Sequence, residues 1–220
     1  MGIALSKYPL NEKLSIRTEL QKQFIVWHGS AARTKYTPYG KIPGKGTSVI
    51  DHWNNVKEKQ GVAYVIDRDG TTFNTFDDSR WSYHLNLPTS HTLYDKQSVG
   101  ISLANELNLI KENGQYYAFD FAHNTNLYLG KVIAQSFRGY DYWAKLDEAQ
   151  VDALISLTLE VASKYKITPK FYNGADWNPK AWEQATILTH ATVNKAALDF
   201  PPFEPWVIDK IKRAGIEIVS

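Results

Sequence analysis

The chain has 220 residues, 43% hydrophobic and 13% aromatic, with 25 basic and 23 acidic side chains and a formal net charge of +2. That is enough apolar mass for one conventionally packed domain, and the even charge balance leaves no basic stripe for a phosphate backbone, so nucleic acid is not an expected partner. Cysteine is absent, which excludes disulfides, thiolate metal sites and cysteine nucleophiles, so any metal would have to be held by histidine and carboxylate.

Residues Met1 to Lys7 carry neither a charged leader region nor a sustained apolar stretch, and no run elsewhere is long enough to span a bilayer. The expectation is a cytoplasmic protein without a signal peptide or an integral membrane segment. After an N-terminal arm containing Pro9, the β-branched and aromatic run Phe24-Ile25-Val26-Trp27 predicts a strand ending at His28. A loop rich in Gly and Pro should follow, from Gly29 to Gly46, as one wall of a cleft. Thr47 or Ser48 then caps a helix to about Gln60, with Val49, Ile50, Trp53 and Val56 near helical spacing and Gly61 at its end. Val62–Ile66 and Thr71–Asn74 flank Asp67-Arg68-Asp69-Gly70, a hairpin signal in which Asp-Gly supplies positive φ angles.

Ser98 to Ala104 reads as another strand. Residues 107–145, dense in Tyr, Phe and Asn with a turn signal at Asn113-Gly114, are expected to elaborate the domain. Asp147 and Gln150 have the spacing of a capping box, and Val151, Leu154, Ile155, Val161 and Ala162 mark a helix to about Lys166. Thr186-Ile187-Leu188-Thr189 predicts a strand ending at His190, and Pro205 opens a last helix that Gly215 stops. Strands alternating with helices, plus one hairpin, predict a single α/β domain over 1–220 with a mixed central sheet flanked by helices.

His28 and His190 each close an apolar run, and Asp199 follows the second, just before Phe200-Pro201-Pro202. Two imidazoles and one carboxylate would give zinc three ligands and leave a fourth position open, the pattern of a catalytic rather than a structural site. Metal-assisted hydrolysis is therefore the leading reading. His52 belongs to the first helix, and His91 and His123 to polar surroundings. All three read as solvated surface.

Four segments, FIVWHGS from Phe24, VAYVIDRDGTTF from Val62, SVGISL from Ser98 and THATVNKAALDFPPF from Thr189, give the chain its resemblance to the type 2 zinc-dependent N-acetylmuramoyl-L-alanine amidases. That family includes phage endolysins and peptidoglycan recognition proteins. The resemblance spans about residues 20 to 206. It implies zinc on His28, His190 and Asp199, peptidoglycan or muropeptides as partner, and cleavage of the amide between N-acetylmuramic acid and L-alanine. A phage endolysin that acts on the wall after release from the infected cell fits a chain without a leader, and a monomer is favoured. The alternatives are a non-catalytic wall-binding or virion component of the same fold, and a zinc peptidase cutting within the stem peptide.

Two positions depart from the family pattern. Many members carry a glutamate general base where this chain has Ser102, and members lacking it use a tyrosine in the preceding hairpin, a place that Tyr64 matches. Many also carry a lysine two residues before the last ligand, where Ala197 stands, and Lys195 is the nearest substitute. Tyr64 is thus expected to stabilise the oxyanion, with Lys195 and Glu106 as catalytic helpers. Glu106 enters because strand alternation would set it on one face with Ser102 and Ala104. His84 is expected on the substrate side.

Overall fold

The computed structural model describes residues 4–17, 19–37, 42–55, 60–118 and 126–220. In chain order the elements are β1 (Leu5–Lys7), β2 (Phe24–Ala31), α1 (Ser48–Asn55), β3 (Tyr64–Ile66), β4 (Thr72–Asn74), α2 (Thr92–Gln97), β5 (Ser98–Asn105), β6 (Asn108–Glu112), β7 (Gln115–Ala118), β8 (Val132–Phe137) and β9 (Tyr140–Ala144). There follow α3 (Glu148–Tyr165), β10 (Lys170–Tyr172), α4 (Ala181–Gln184), β11 (Ile187–Thr189), α5 (His190–Val193), α6 (Pro205–Arg213) and β12 (Glu217–Val219). The main sheet has the order β1-β4-β3-β5-β2-β11-β10-β12. Its neighbours are parallel except for the antiparallel β3–β4 hairpin, so the expected mixed α/β sheet is what forms.

Every residue of β5 is buried, as expected of a central parallel strand covered on both faces. Side chains alternate across the sheet. Ile25, Trp27, Tyr64, Ile66, Val99, Ile101 and Leu103 pack with Val151, Leu154 and Val161 of α3 and with Val207 and Ile211 of α6. Trp27 stacks on Phe171 at 4.8 Å and donates its indole N–H to Thr158 Oγ1 at 3.0 Å. On the other face, Val65 meets Val49 and Ile50 of α1, and Val26 meets Leu85, Ala181, Leu188 and Val193. No helix among the described residues is long and apolar enough to cross a membrane.

Residues 108–144 contain a second, antiparallel sheet of order β7-β6-β9-β8, with Asn113 and Gly114 both at positive φ in the β6–β7 turn. Where it leaves the main sheet, a buried polar knot forms. Glu106 Oε1 accepts from the Thr34 N–H at 3.2 Å and the Thr37 hydroxyl at 2.9 Å, while Oε2 pairs with the Arg68 guanidinium, which also donates to the Lys145 carbonyl. Both charged side chains are at most 1% exposed. The knot joins the segment after β2, the β3–β4 turn and the approach to α3. Glu106 is thus committed to holding the fold together, and the strand that was to set it beside Ser102 stops at Asn105.

Several boundaries differ from the sequence reading. β2 continues past His28 to Ala31, because pairing with β5 runs on to Asn105, so the expected loop begins later. α1 is described to Asn55, and the rest of the expected helix, with Val56, lies outside the described residues. In the hairpin turn only Gly70 has positive φ. The capping box does not form: Asp147 makes no side-chain cap bond, and Gln150 donates instead to the carbonyls of Ile66 and Ala104, both at 3.0 Å. Bonding two strands from inside α3 serves the sheet–helix contact rather than the helix end.

Replacing Glu106 with Gln would leave the Arg68 charge buried without its counterion, a change that typically costs about 3–5 kcal/mol. Urea unfolding of Glu106→Gln should show a midpoint lowered to match; an unchanged midpoint would remove the ion pair from any structural role.

Candidate metal centre and cleft

His28 stands on the β2 face opposite α3, and β11 runs parallel to β2 with Thr189 beside Trp27, so His190 emerges next to it as the first residue of α5. Asp199 arrives from the loop before α6. His28 Nδ1 lies 3.6 Å and His190 Nδ1 3.2 Å from Asp199 Oδ2, and the two imidazole centroids are 4.6 Å apart. One ligand atom from each of the three residues lies within 4.8 Å of the others. The Gly29 N–H donates to Asp199 Oδ2 at 3.3 Å. Glycine is needed there because a Cβ would sit 2.9 Å from the Asp199 carbonyl oxygen and 2.5 Å from Leu107 Cδ2.

The outer nitrogens settle which atoms face inward. His190 Nε2 is 2.9 Å from the Leu85 carbonyl, which can only accept, so Nε2 carries the proton. Ser98 Oγ is 2.6 Å from the Tyr94 carbonyl and 2.8 Å from His84 Nε2. The hydroxyl must donate to the carbonyl and accept from the imidazole. His84 Nδ1 is then a lone pair facing His28 Nε2 at 2.9 Å, and the His28 proton is on Nε2. Both candidate ligands therefore turn Nδ1 towards Asp199, each with its other nitrogen tied to the protein, as ligating histidines usually are. Gly100 makes room for this relay, since a Cβ there would meet His84 Nδ1 at 3.0 Å and Val62 Cγ1 at 2.8 Å.

Burial, with His190 and His84 nearby, pushes the His28 pKa well below the usual histidine range, and burial does the same to His84. Both are neutral, as ligation and the relay require. Burial opposes the charge on His190, but Asp199 outweighs it and raises the pKa; burial likewise opposes ionisation of Asp199, which the two histidines and Gly29 overcome. The Asp199 carboxylate thus favours positive charge beside it, which a divalent cation would supply. Two neutral imidazole nitrogens and one ionised carboxylate converging on one point fit zinc in a site with an open position.

The cleft over this trio is walled by Gly29, Ser30, Trp53, Gln60, Gly61, Val62, Tyr83, His84 and Asn86. Of the other sequence candidates, only His84 is here, and it touches His28 directly. Tyr64 is not. Strand parity puts it on the α3 face, where its hydroxyl donates to Asp78 Oδ2 at 2.8 Å beside Lys164 and Tyr165. Lys195 is exposed on an adjoining groove with Tyr94, Trp177 and Trp182, joined to the cleft through Asn86. Ser102 is fully buried, its hydroxyl bonded to that of Ser30 at 2.5 Å. His52 and His91 are exposed, and His123 lies outside the described residues.

The sequence reading missed Ser30, Tyr83 and Asn86. Ser30 was within reach, two positions beyond His28 on the same strand face. Tyr83 directly precedes His84 but carried no periodic signal, and Asn86 sits at a positive φ of 49° that no local pattern announces.

Residues 19–200 match the family described as N-acetylmuramoyl-L-alanine amidase. No curated protein matches the chain. Among solved structures, the fold resembles the endolysin N-acetylmuramoyl-L-alanine amidase LysCS from Clostridium intestinale URNW, with a TM-score of 0.53, 14% identity and 99% of each chain covered. It also resembles AmiD from E. coli, solved with anhydro-N-acetylmuramic acid-L-Ala-D-γ-Glu-L-Lys, with a TM-score of 0.53, 15% identity, and 94% of this chain and 67% of that one covered. At such identities the structural likeness speaks for the fold alone.

Zinc titration of metal-free protein should reach one ion per chain, and His28→Ala, His190→Ala and Asp199→Ala should each abolish binding. His84→Ala removes no ligand but frees the His28 ring, so it should weaken affinity about 10–100-fold at unchanged stoichiometry. Wild-type affinity in His84→Ala would show that the relay does not orient the ligand.

Proposed function

Because the chain belongs to the N-acetylmuramoyl-L-alanine amidase family, we propose that it hydrolyses the amide joining the lactyl group of N-acetylmuramic acid to L-alanine in bacterial peptidoglycan, with one zinc on His28, His190 and Asp199. The observation that carries this reading is the inward-facing trio, with both outer imidazole nitrogens already satisfied at the floor of an open cleft. When bound, zinc supplies Lewis acidity towards the scissile carbonyl and lowers the pKa of water from about 15.7 towards 7. The chain's own groups then orient the substrate and meet the charge that develops.

Among the described residues, Asp199 is the sole carboxylate lining the cleft, and it is taken as a ligand, so the described lining offers no second carboxylate as general base. Tyr83 is the phenol lining the cleft among the described residues. We assign to it the oxyanion-donating role that the sequence reading gave to Tyr64. Ser30 and Asn86 offer further polar contacts at the rim. Lys195 acts on the substrate rather than on the reaction: in the groove with Trp177 and Trp182 its ammonium suits the carboxylates of the peptide stem. The wider role proposed is that of an endolysin that degrades the host wall after release.

Ser102 in place of the family glutamate and Ala197 in place of the family lysine favour a wall-binding component without turnover. Digestion of purified peptidoglycan separates the readings. Mass spectrometry should find new alanine amino termini and intact glycan, with no rise in reducing ends. Cuts further along the stem would make the protein a peptidase, and no products from zinc-loaded protein would make it a binder. Removing a donor aimed at an oxyanion typically costs roughly a hundredfold to a thousandfold in rate, so Tyr83→Phe should lower kcat by that order. Tyr64→Phe should lower stability and leave kcat near wild type; the reverse pattern would return the role to Tyr64.

A further inference from the structure

His190 and Asp199 are the two ends of one short segment, α5 and the loop after it, and its backbone has no strand to hold it. Part of the hold comes from the second sheet. Arg138, at the tip of the β8–β9 hairpin, sits at a φ of 48° with Gly139 at 86°, and this turn aims the guanidinium under the loop. Nη2 donates to the Ala191 carbonyl at 2.7 Å, and Nη1 donates to the Asn194 carbonyl at 3.3 Å and to the Ala197 carbonyl. The three acceptors span the stretch between the two ligands. From the opposite side, the Asn194 amide donates to the Leu85 carbonyl at 2.8 Å, the same oxygen that holds His190 Nε2.

We propose that Arg138 is a positioning residue for the metal centre, and that this hairpin holds the His190–Asp199 loop so that Nδ1 and the carboxylate keep their separation. The inference rests on the reading that the trio binds zinc. Arginine suits the task because a planar fork with five N–H donors reaches three carbonyls from two separated nitrogens, whereas a lysine ammonium presents its donors from a single point. It also gives residues 107–145, whose described members supply none of the residues lining the cleft, a part in the site's chemistry.

The test uses the full chain and zinc itself, measured by competition with a chromogenic chelator, alongside the melting temperature of metal-free protein. Arg138→Ala should lose about 10–100-fold in zinc affinity, the order seen when an outer support of a ligand is removed, and Arg138→Lys should also fall below wild type. Low millimolar guanidinium should restore part of the affinity of Arg138→Ala and leave wild type unchanged. Wild-type affinity in both variants would overturn the proposal, even if the metal-free melting temperature drops, because that pattern means a purely structural contact. If Arg138→Ala does not fold, the affinity of Arg138→Lys decides. Failure of the wild-type protein to bind zinc would instead overturn the metal reading, and the clamp with it.

Discussion

Residue-for-residue pairing of β2 with β5, from Phe24 beside Ser98 to Ala31 beside Asn105, governs where each functional side chain can stand. With a side-chain period of two, one face of this pair carries Phe24 and Val26 and then His28 and Ser30, beside the small or polar Ser98, Gly100 and Ser102. The other carries Ile25 and Trp27 with Val99, Ile101 and Leu103, all apolar. A slip of one residue would send His28 into the α3 interface and turn Trp27 towards the cleft. The apolar cost of that slip keeps the register, and the register keeps the site: His28 faces His84 because Gly100 of β5 leaves room for the segment that bears it.

Much of this was legible in the chain. The apolar run at residues 24–27 and the alternating run at 98–104 mark strands, and the pairing of His28 with His190 followed from where the runs at 24–27 and 186–189 end. What local pattern could not carry was orientation. Tyr64 lies in a correctly read hairpin, but on a strand of three residues its face is set by pairing with Ile101, and it looks towards Asp78. Glu106 sits one residue beyond its strand and was claimed by Arg68. The histidine relay and the Arg138 clamp join residues more than fifty positions apart, or as few as four through a backbone carbonyl, and neither kind of contact leaves a periodic trace.

Buried polar groups recur around the cleft, and two of them, Lys22 and Asp95, are held by backbone groups. Lys22 is nearly inaccessible, and burial pulls its pKa down to about 8, yet its ammonium reaches the carbonyls of Arg80, Lys96 and Ser98 at 2.8 to 3.0 Å. Those carbonyls flank the segment from Trp81 to Gln97 that supplies Tyr83, His84 and Asn86. Asp95 adds acceptors for the His84 and Leu85 N–H groups at 3.0 Å. The non-helical backbone beside the metal trio is thus tied at several points, which suits a site whose donors must stay in place when the charge at its centre changes.

The relay from His28 through His84 and Ser98 ends on the Tyr94 carbonyl, and the path from His190 ends on that of Leu85. A carbonyl oxygen neither gives up a proton nor keeps one near neutral pH. Both paths are therefore insulators: they fix tautomers, and they conduct nothing into the protein interior. These two paths therefore leave a proton released in this cleft to the solvent at its mouth, which Tyr83, Gln60 and Asn86 line. The traffic of protons during turnover is in this way tied to whatever occupies that mouth, so the substrate itself becomes a gate on their escape.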